Sequence, residues 1–315
     1  MKRIATIFLF LSLMLGACAK PQAPAPSAPQ TPDATPTPQL VTPDENGMLH
    51  IGDTYIEAGD PVDEASVRRF ADKLKSLRET YLTDNAVYYA LIPDKSYFVR
   101  AETADYLDHG AIAEMLSTEL DGWDALDLGS LLTLDDYYRT DPHWRQEQLL
   151  EVVAALGGMM DFSIDDSAFT PQAREGFVGT YRQKIEDLTP ETVCWLTSRY
   201  TDAATVDNFE HPEFRAVYDV DRLDTEIAYD LFLSGATPLT VIENPDAGTE
   251  RELVLFRDSY GSSLAPLLLE AYSKITLVDL RYMLSDLLPD YVDFTGAAVL
   301  FLYSDRIINN SLLLK

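Results

Sequence analysis

The sequence is poor in cysteine, histidine and basic residues, and each shortage removes a class of function. Only two of its 315 residues are cysteine, Cys18 and Cys194, so no disulfide framework organises the chain. The histidines, His50, His109, His143 and His211, show no paired metal-ligand spacing, and a structural zinc site is not expected. Lysine and arginine number 24 against 52 aspartate and glutamate, a formal net charge of −28. Such a chain repels a phosphate backbone and offers no basic membrane-binding face, which argues against nucleic acid as a partner. The acidity names no substrate, because acidic side chains often simply face solvent. No internal repeat occurs, and past the first residues no apolar run is long enough to span a bilayer. Two comparable lobes joined by a hinge, as a solute-binding protein would need, are also absent.

What is present begins with an address. Lys2 and Arg3 form a basic start, Ile4 to Ala17 is apolar but short for a membrane span, and Leu15-Gly16-Ala17-Cys18 closes the stretch. Small residues before a cysteine resemble a bacterial lipobox. That implies a signal peptide over 1–17, cleavage before Cys18, lipidation of its thiol and a protein anchored at the cell membrane on its extracytoplasmic side. An ordinary signal peptide or an uncleaved anchor would also export the chain. Residues 18–45, rich in Pro, Ala, Thr and Gln, read as a disordered tether with extended polyproline-like segments. With Cys18 lipidated, Cys194 has no partner and reads as a small buried apolar residue. Residues 46–315, roughly 270 in number, suffice for one large α/β domain with a substantial core.

Within that body, helical and strand patterns alternate, the signature of an α/β fold. Val67, Phe70, Leu74, Leu77 and Tyr81 recur at helical spacing over Asp63 to Leu82. Ala86 to Ile92 is an apolar, β-prone run stopped by Pro93-Asp94, a central strand. A short helix over Ala111 to Leu120 and a short strand at Leu126-Asp127-Leu128 follow. Arg145 to Leu156 is helical, with Gly157-Gly158 as its expected stop. The region from about Asp161 to Tyr229 is irregular and aromatic-rich. Strands are expected at Pro238 to Ile242, Leu253 to Phe256, Lys274 to Asp279 and Ala297 to Tyr303.

The chemistry centres on Leu253-Val254-Leu255-Phe256-Arg257-Asp258-Ser259-Tyr260-Gly261. A buried strand runs into a turn and then a helical pattern, which places Ser259 at the carboxyl end of the strand. An α/β enzyme exposes a nucleophilic serine there, and an adjacent helix N-terminus favours developing negative charge. A serine capping a helix would have the same sequence context. A serine nucleophile needs an imidazole to take its proton and an acid to orient the imidazole. Asp141 and His143 stand two apart just before a helix, and Pro142 favours extension at Asp141. Their side chains then leave on one side. A cap at Asp141 and an ordinary surface role for His143 are the innocent alternatives. Asp258, although it adjoins Ser259, suits a turn-organising role better than that of the acid.

Thr140-Asp141-Pro142-His143-Trp144, followed by a helix, resembles the signature of the DHHW protein family, which is similar to the SGNH-hydrolase-like alginate O-acetylation proteins. Tyr88 to Lys95, Pro238 to Asn244, Asp258-Ser259-Tyr260, Val278 to Tyr282 and Phe301 to Asn310 resemble further family blocks, in family order. The resemblance covers roughly Asn85 to the C-terminus, with Pro142 in place of the first histidine of the name. It implies a doubly wound α/β sandwich with permuted catalytic blocks, the Asp-x-His element preceding the serine. It also implies Ser259, His143 and Asp141 as catalytic, and an asparagine after a late strand, Asn309 or Asn310, in the oxyanion hole beside the Ser259 backbone N–H.

Arg257 and Arg281 are candidates for an anionic group on a glycan, or for pairing with the many carboxylates. Tyr137, Tyr138 and Trp144 are candidates for stacking on sugar rings, or for the core. The implied activity is transfer of an acyl group, acetyl above all, to hydroxyls of a cell-surface or exopolysaccharide glycan. No cofactor is implied, and a membrane-bound acyltransferase would be the partner that supplies the acyl group. An esterase using the same triad with water, and a non-catalytic glycan-binding or scaffold lipoprotein of the same fold, are the alternatives.

Overall fold

The computed structural model describes residues 40–315, so the signal segment, Cys18 and the tether as far as residue 39 lie outside the described residues. The Val41 N–H donates to the Glu102 carbonyl at 2.7 Å, and Asp44 accepts the Met48 N–H. The body therefore begins a few residues ahead of the expected 45/46 boundary. A hairpin that the sequence pattern does not announce opens it, β1 (Met48–Ile51) against β2 (Thr54–Glu57).

Helix α1 (Glu64–Tyr81) buries Val67, Phe70, Leu74 and Leu77, the stripe that its periodicity marks, and Asp63 caps it by accepting the Ser66 N–H at 3.0 Å. Strand β3 (Val87–Ile92), helix α2 (His109–Glu119) and strand β4 (Asp124–Asp127) follow. Then comes α3 (Leu150–Met160), entered through a 3₁₀ turn at Gln146–Gln148. The expected stop at Gly157-Gly158 does not occur. Both glycines lie inside α3, which ends at Asp161 in a left-handed conformation, φ 58°. Gly157 is needed for packing instead, since a Cβ there would lie 2.5 Å from the Phe162 carbonyl oxygen.

The irregular region resolves into an antiparallel hairpin, β5 (Thr170–Phe177) with β6 (Glu191–Thr197), and strand β7 (Thr205–Asn208). Cys194 sits half-buried on β6, not in the core as its residue type suggests. Strands β8 (Leu239–Glu243), β9 (Glu252–Arg257), β10 (Lys274–Val278) and β11 (Ala298–Ser304) complete the main sheet.

That sheet has seven strands in the order β4-β3-β11-β9-β10-β8-β7. From β4 to β10 every pairing is parallel, whereas β8 runs antiparallel to both β10 and β7. Strand alternation separates two cores. Leu253, Leu255, Leu300 and Leu302 face the layer that holds α3, while Val254, Phe256, Val299 and Phe301 face α1 and α2. Layers on both faces of a mostly parallel sheet make the doubly wound α/β sandwich that the sequence leads one to expect. The carboxyl ends of β3, β9 and β11 lie side by side in this sheet, and they carry Asp94, Asp258-Ser259 and Ser304-Asp305. Ligand crevices form at that end of such sheets.

Candidate active site

Strand β9 delivers Ser259, and Asp258 fixes how it does so. One Asp258 oxygen accepts the Tyr260 N–H at 3.1 Å; the other accepts the Ser304 N–H and hydroxyl at 2.8 and 2.7 Å. The turn is thereby tied to the tip of the neighbouring β11, which is the organising role expected of Asp258. The turn also closes directly over its own strand. A Cβ on Gly261 would lie 2.6 Å from the Arg257 Cβ, so only glycine fits. Beyond it the chain makes one α-turn, Gly261–Leu264, and then a 3₁₀ turn at Ala265–Leu268. This is shorter than the expected helix, because Pro266 has no N–H to donate.

The Tyr138–His143 loop delivers the other two groups. A Tyr138 N–H bond to the His143 carbonyl, 3.1 Å, closes it into a tight hairpin. Asp141 accepts the His143 N–H at 3.0 Å, and the same oxygen stands 2.5 Å from His143 Nδ1. On the far side of the ring, Nε2 lies 2.7 Å from Ser259 Oγ. Asp141 is fully buried, and its second oxygen accepts the Thr180 N–H and hydroxyl at 2.8 and 3.0 Å. Burial alone would raise its carboxyl pKa. The attraction of His143 and the hydrogen bonds from His143 and Thr180 outweigh burial and hold it below the usual carboxylate value. An ionised Asp141 only accepts hydrogen bonds, so Nδ1 carries the ring proton and Nε2 is free to accept one from Ser259.

Aromatic rings fix the plane of the imidazole. Tyr229 stacks on it at 3.8 Å between centroids, 6° from parallel, and Tyr260 tilts against it at 4.7 Å. The Tyr229 hydroxyl and the Trp144 Nε1–H both donate to Ser263 Oγ, at 2.7 and 2.8 Å. The Tyr260 hydroxyl donates to the Pro142 carbonyl at 2.8 Å. The serine turn and the histidine loop are therefore stitched together beyond the serine–histidine contact itself.

Other candidates from the sequence fall elsewhere. Asn309 is not beside Ser259. Its carboxamide oxygen accepts the Asp63 N–H at 2.6 Å and its nitrogen donates to the Pro61 carbonyl at 3.1 Å, so it serves the start of α1. Asn310 is exposed, and both asparagines border a cavity of about 420 Å³ together with Glu57, Asp60 and Arg306. Neither asparagine is placed for an oxyanion role. Arg257 is buried with its Nη1 3.8 Å from Asp279, so it does not face a ligand. Arg281 is clamped by the same Asp279, its Nε donating to Oδ1 at 2.9 Å and its Nη2 to Oδ2 at 2.6 Å. Tyr137, Tyr138 and Trp144 are core residues without faces for a sugar.

Several neighbours of the triad give no signal in the sequence. Gly179 approaches so closely that a Cβ on it would lie 2.3 Å from the Asp141 Cβ. Glu191 accepts the Thr140 N–H at 2.8 Å. These residues, with Thr180 and Tyr229, come from the irregular stretch, where only three-dimensional closure brings them to the site.

No family model and no curated relative matches the sequence. Solved structures do match in fold. A DHHW family protein from Eubacterium siraeum superposes with a TM-score of 0.68 at 21% identity, over 84% of this chain and 93% of that one. Bacillus cereus PatB1 gives 0.64 at 15% identity, over 83% and 96%, and has also been solved with a sulfonyl adduct. The O-acetyltransferase domain of Pseudomonas putida AlgJ gives 0.50 at 12% identity, over 86% and 92%. The chain thus has the fold of this DHHW family protein, of PatB1 and of the AlgJ O-acetyltransferase domain.

Proposed function

We propose that the chain is an SGNH-type serine acyltransferase that places an acyl group, acetyl in the simplest case, on hydroxyls of a cell-surface or exopolysaccharide glycan. One observation carries this: Asp141, His143 and Ser259 are joined end to end, at 2.5 and 2.7 Å, with the carboxylate buried and the serine at the carboxyl edge of the sheet. The likeness in fold to the AlgJ O-acetyltransferase domain supports transfer as the reaction class.

In the first half-reaction His143 Nε2 takes the Ser259 proton as Oγ attacks the acyl carbonyl carbon. Asp141 stabilises the imidazolium, and the Ser259 backbone N–H serves the oxyanion. Collapse of the tetrahedral adduct expels the donor, which leaves with the proton from His143, and Ser259 carries the acyl ester. A glycan hydroxyl then gives its proton to Nε2 and attacks that ester, and collapse of the second adduct expels Ser259 Oγ, which takes the proton back from Nε2, and releases the acylated sugar. The Leu15-Gly16-Ala17-Cys18 sequence supports a lipid anchor at Cys18. That anchor would keep the domain extracytoplasmic, near the glycan and near a membrane-bound acyltransferase partner supplying the acyl group.

Purified protein incubated with an aryl acetate, with and without oligosaccharide, tests the reading. Sugar-dependent acceleration with ester appearing on the sugar is expected. Release that no sugar changes would make the protein an esterase, and release that survives Ser259→Ala would remove the triad.

A further inference from the structure

We propose that Lys95 is a positioning residue for this reaction: its ammonium, buried behind the Tyr138–His143 loop, holds Asp141 and His143 in the register that Ser259 needs. This rests on the triad reading above.

Lys95 follows β3 and is only 1% exposed. Its Nζ donates to the Tyr55 and Tyr138 carbonyls, both at 2.6 Å, and to the Asp141 carbonyl at 3.2 Å, with the Arg139 carbonyl at 3.5 Å. Three of these oxygens belong to the catalytic loop. An ammonium has three donors and no acceptor, which matches a ring of carbonyls. A neutral amine would turn a lone pair towards them.

The amides of the same loop point the other way. Arg139 and Thr140 donate their N–H groups to Glu191 at 3.1 and 2.8 Å. A cation therefore gathers the loop's carbonyls while a carboxylate gathers its amides. Lys95 touches neither the imidazole nor Ser259, so its effect passes through the backbone that carries Asp141.

The charge is held against a strong opposing force. Burial pushes the Lys95 ammonium down to about 7, and the carboxylates of Asp141, Glu191 and Asp94 resist that shift. The Tyr181 ring lies 5.0 Å from Nζ. Loss of the proton as pH rises through about 7 removes the donor common to the loop carbonyls and slackens the Asp141–His143 pair.

The test compares full-length wild type, Lys95→Met, Lys95→Arg and Ser259→Ala. Aryl acetate turnover is followed from about pH 6 to about pH 10, with thermal melts and the downfield ¹H resonance of the His143 Nδ1–H in ¹⁵N-histidine-labelled protein. Lys95→Met is expected to lower kcat by about 100-fold with KM nearly unchanged, the signature of a misplaced catalytic group. Wild-type kcat should fall as pH rises through about 7. Lys95→Arg should keep activity at alkaline pH, and the downfield resonance should persist in Lys95→Arg and be lost from Lys95→Met. A folded Lys95→Met with wild-type kcat and resonance overturns the proposal. If Lys95→Met does not fold, a flat alkaline profile in wild type, matched by Lys95→Arg, overturns it. If wild type shows no release beyond that of Ser259→Ala, the triad reading fails, and the resonance alone then decides whether Lys95 holds the pair.

Discussion

The imidazole of His143 and the ring of Tyr229 lie face to face, 3.8 Å apart and 6° from parallel. This stacking leaves the ring free to exchange protons along its edge and blocks rotation out of the Asp141–Ser259 line. Tyr229→Leu is expected to lower kcat for an aryl acetate by about fivefold, since a stacked pair is worth about 1 kcal/mol. Tyr229→Phe keeps the stack and should retain most of kcat. Steady-state kinetics of the two variants, with melting curves as controls, check this.

Ser259→Ala and Asp141→Asn should each reduce acyl release by about 10³-fold or more, because the relay works as a unit. Neither should unfold the domain. Covalent labelling by a sulfonyl fluoride, followed by mass spectrometry, should mark Ser259 in wild type and disappear in Ser259→Ala. Labelling of another residue at equal rate would contradict the assignment.

Gly179→Ala should damage both stability and turnover. The added methyl would lie 2.3 Å from the Asp141 Cβ and 2.6 Å from the Thr140 carbonyl, so one of the two segments must move. Overpacking of this kind costs about 1–3 kcal/mol. A denaturation midpoint unchanged from wild type, with full activity, would show that the two segments can part to admit a methyl group.

Away from the triad, His109 is buried between Asp127, 2.6 Å from Nε2, and Asp305, 3.0 Å from Nδ1. Burial disfavours its charge, but the hydrogen bonds its ring N–H groups donate to both carboxylates outweigh that and raise its pKa from 6.5 to about 10. A folded value above the unfolded one means that the protonated bridge contributes its full stability below about pH 6.5. That contribution is lost as pH rises towards and through about 10. Urea midpoints should therefore separate wild type from His109→Gln at pH 6 and bring them closer at pH 10. A gap that is constant across this range would refute the charged bridge.

Deep in the sheet, Phe256 is fully buried and stacked on Phe301 at 4.7 Å. Phe256→Ala should cost about 3–5 kcal/mol. Chemical denaturation read by two probes would measure it.

The parallel strands β3, β9, β10 and β11 are legible because burial on both faces of a parallel sheet produces unbroken apolar runs, such as Leu253 to Phe256 and Ala297 to Tyr303, and α1 is legible from its helical stripe; β1, β2, β5, β6 and β7 lack such runs. The Asp141–His143 pair was legible because its two members are neighbours in sequence. Ser259 was legible because a buried strand cannot run into Asp-Ser without a turn. The partners of Asp141 were hidden for the opposite reason. Gly179 and Thr180 reach it across nearly forty intervening residues, which include α3 and β5, through contacts with no period to betray them. Asn309 misled because an asparagine beyond a strand suits an oxyanion hole and a helix start equally well; only the path of the chain after Ser304 separates the two.

Gly179, Thr180 and Glu191 all lie where β5 and β6 are joined or begin, and that hairpin forms its own two-stranded sheet outside the main one. Most of β5 faces solvent, so its outer positions carry fewer packing constraints than the strands held between the two cores. Three positions within it are not free, because they grip the acid and its loop. Substitution on the outer face of the hairpin therefore leaves the Asp141–His143–Ser259 line untouched, whereas loss of these three contacts loosens that line without disturbing either core of the sheet.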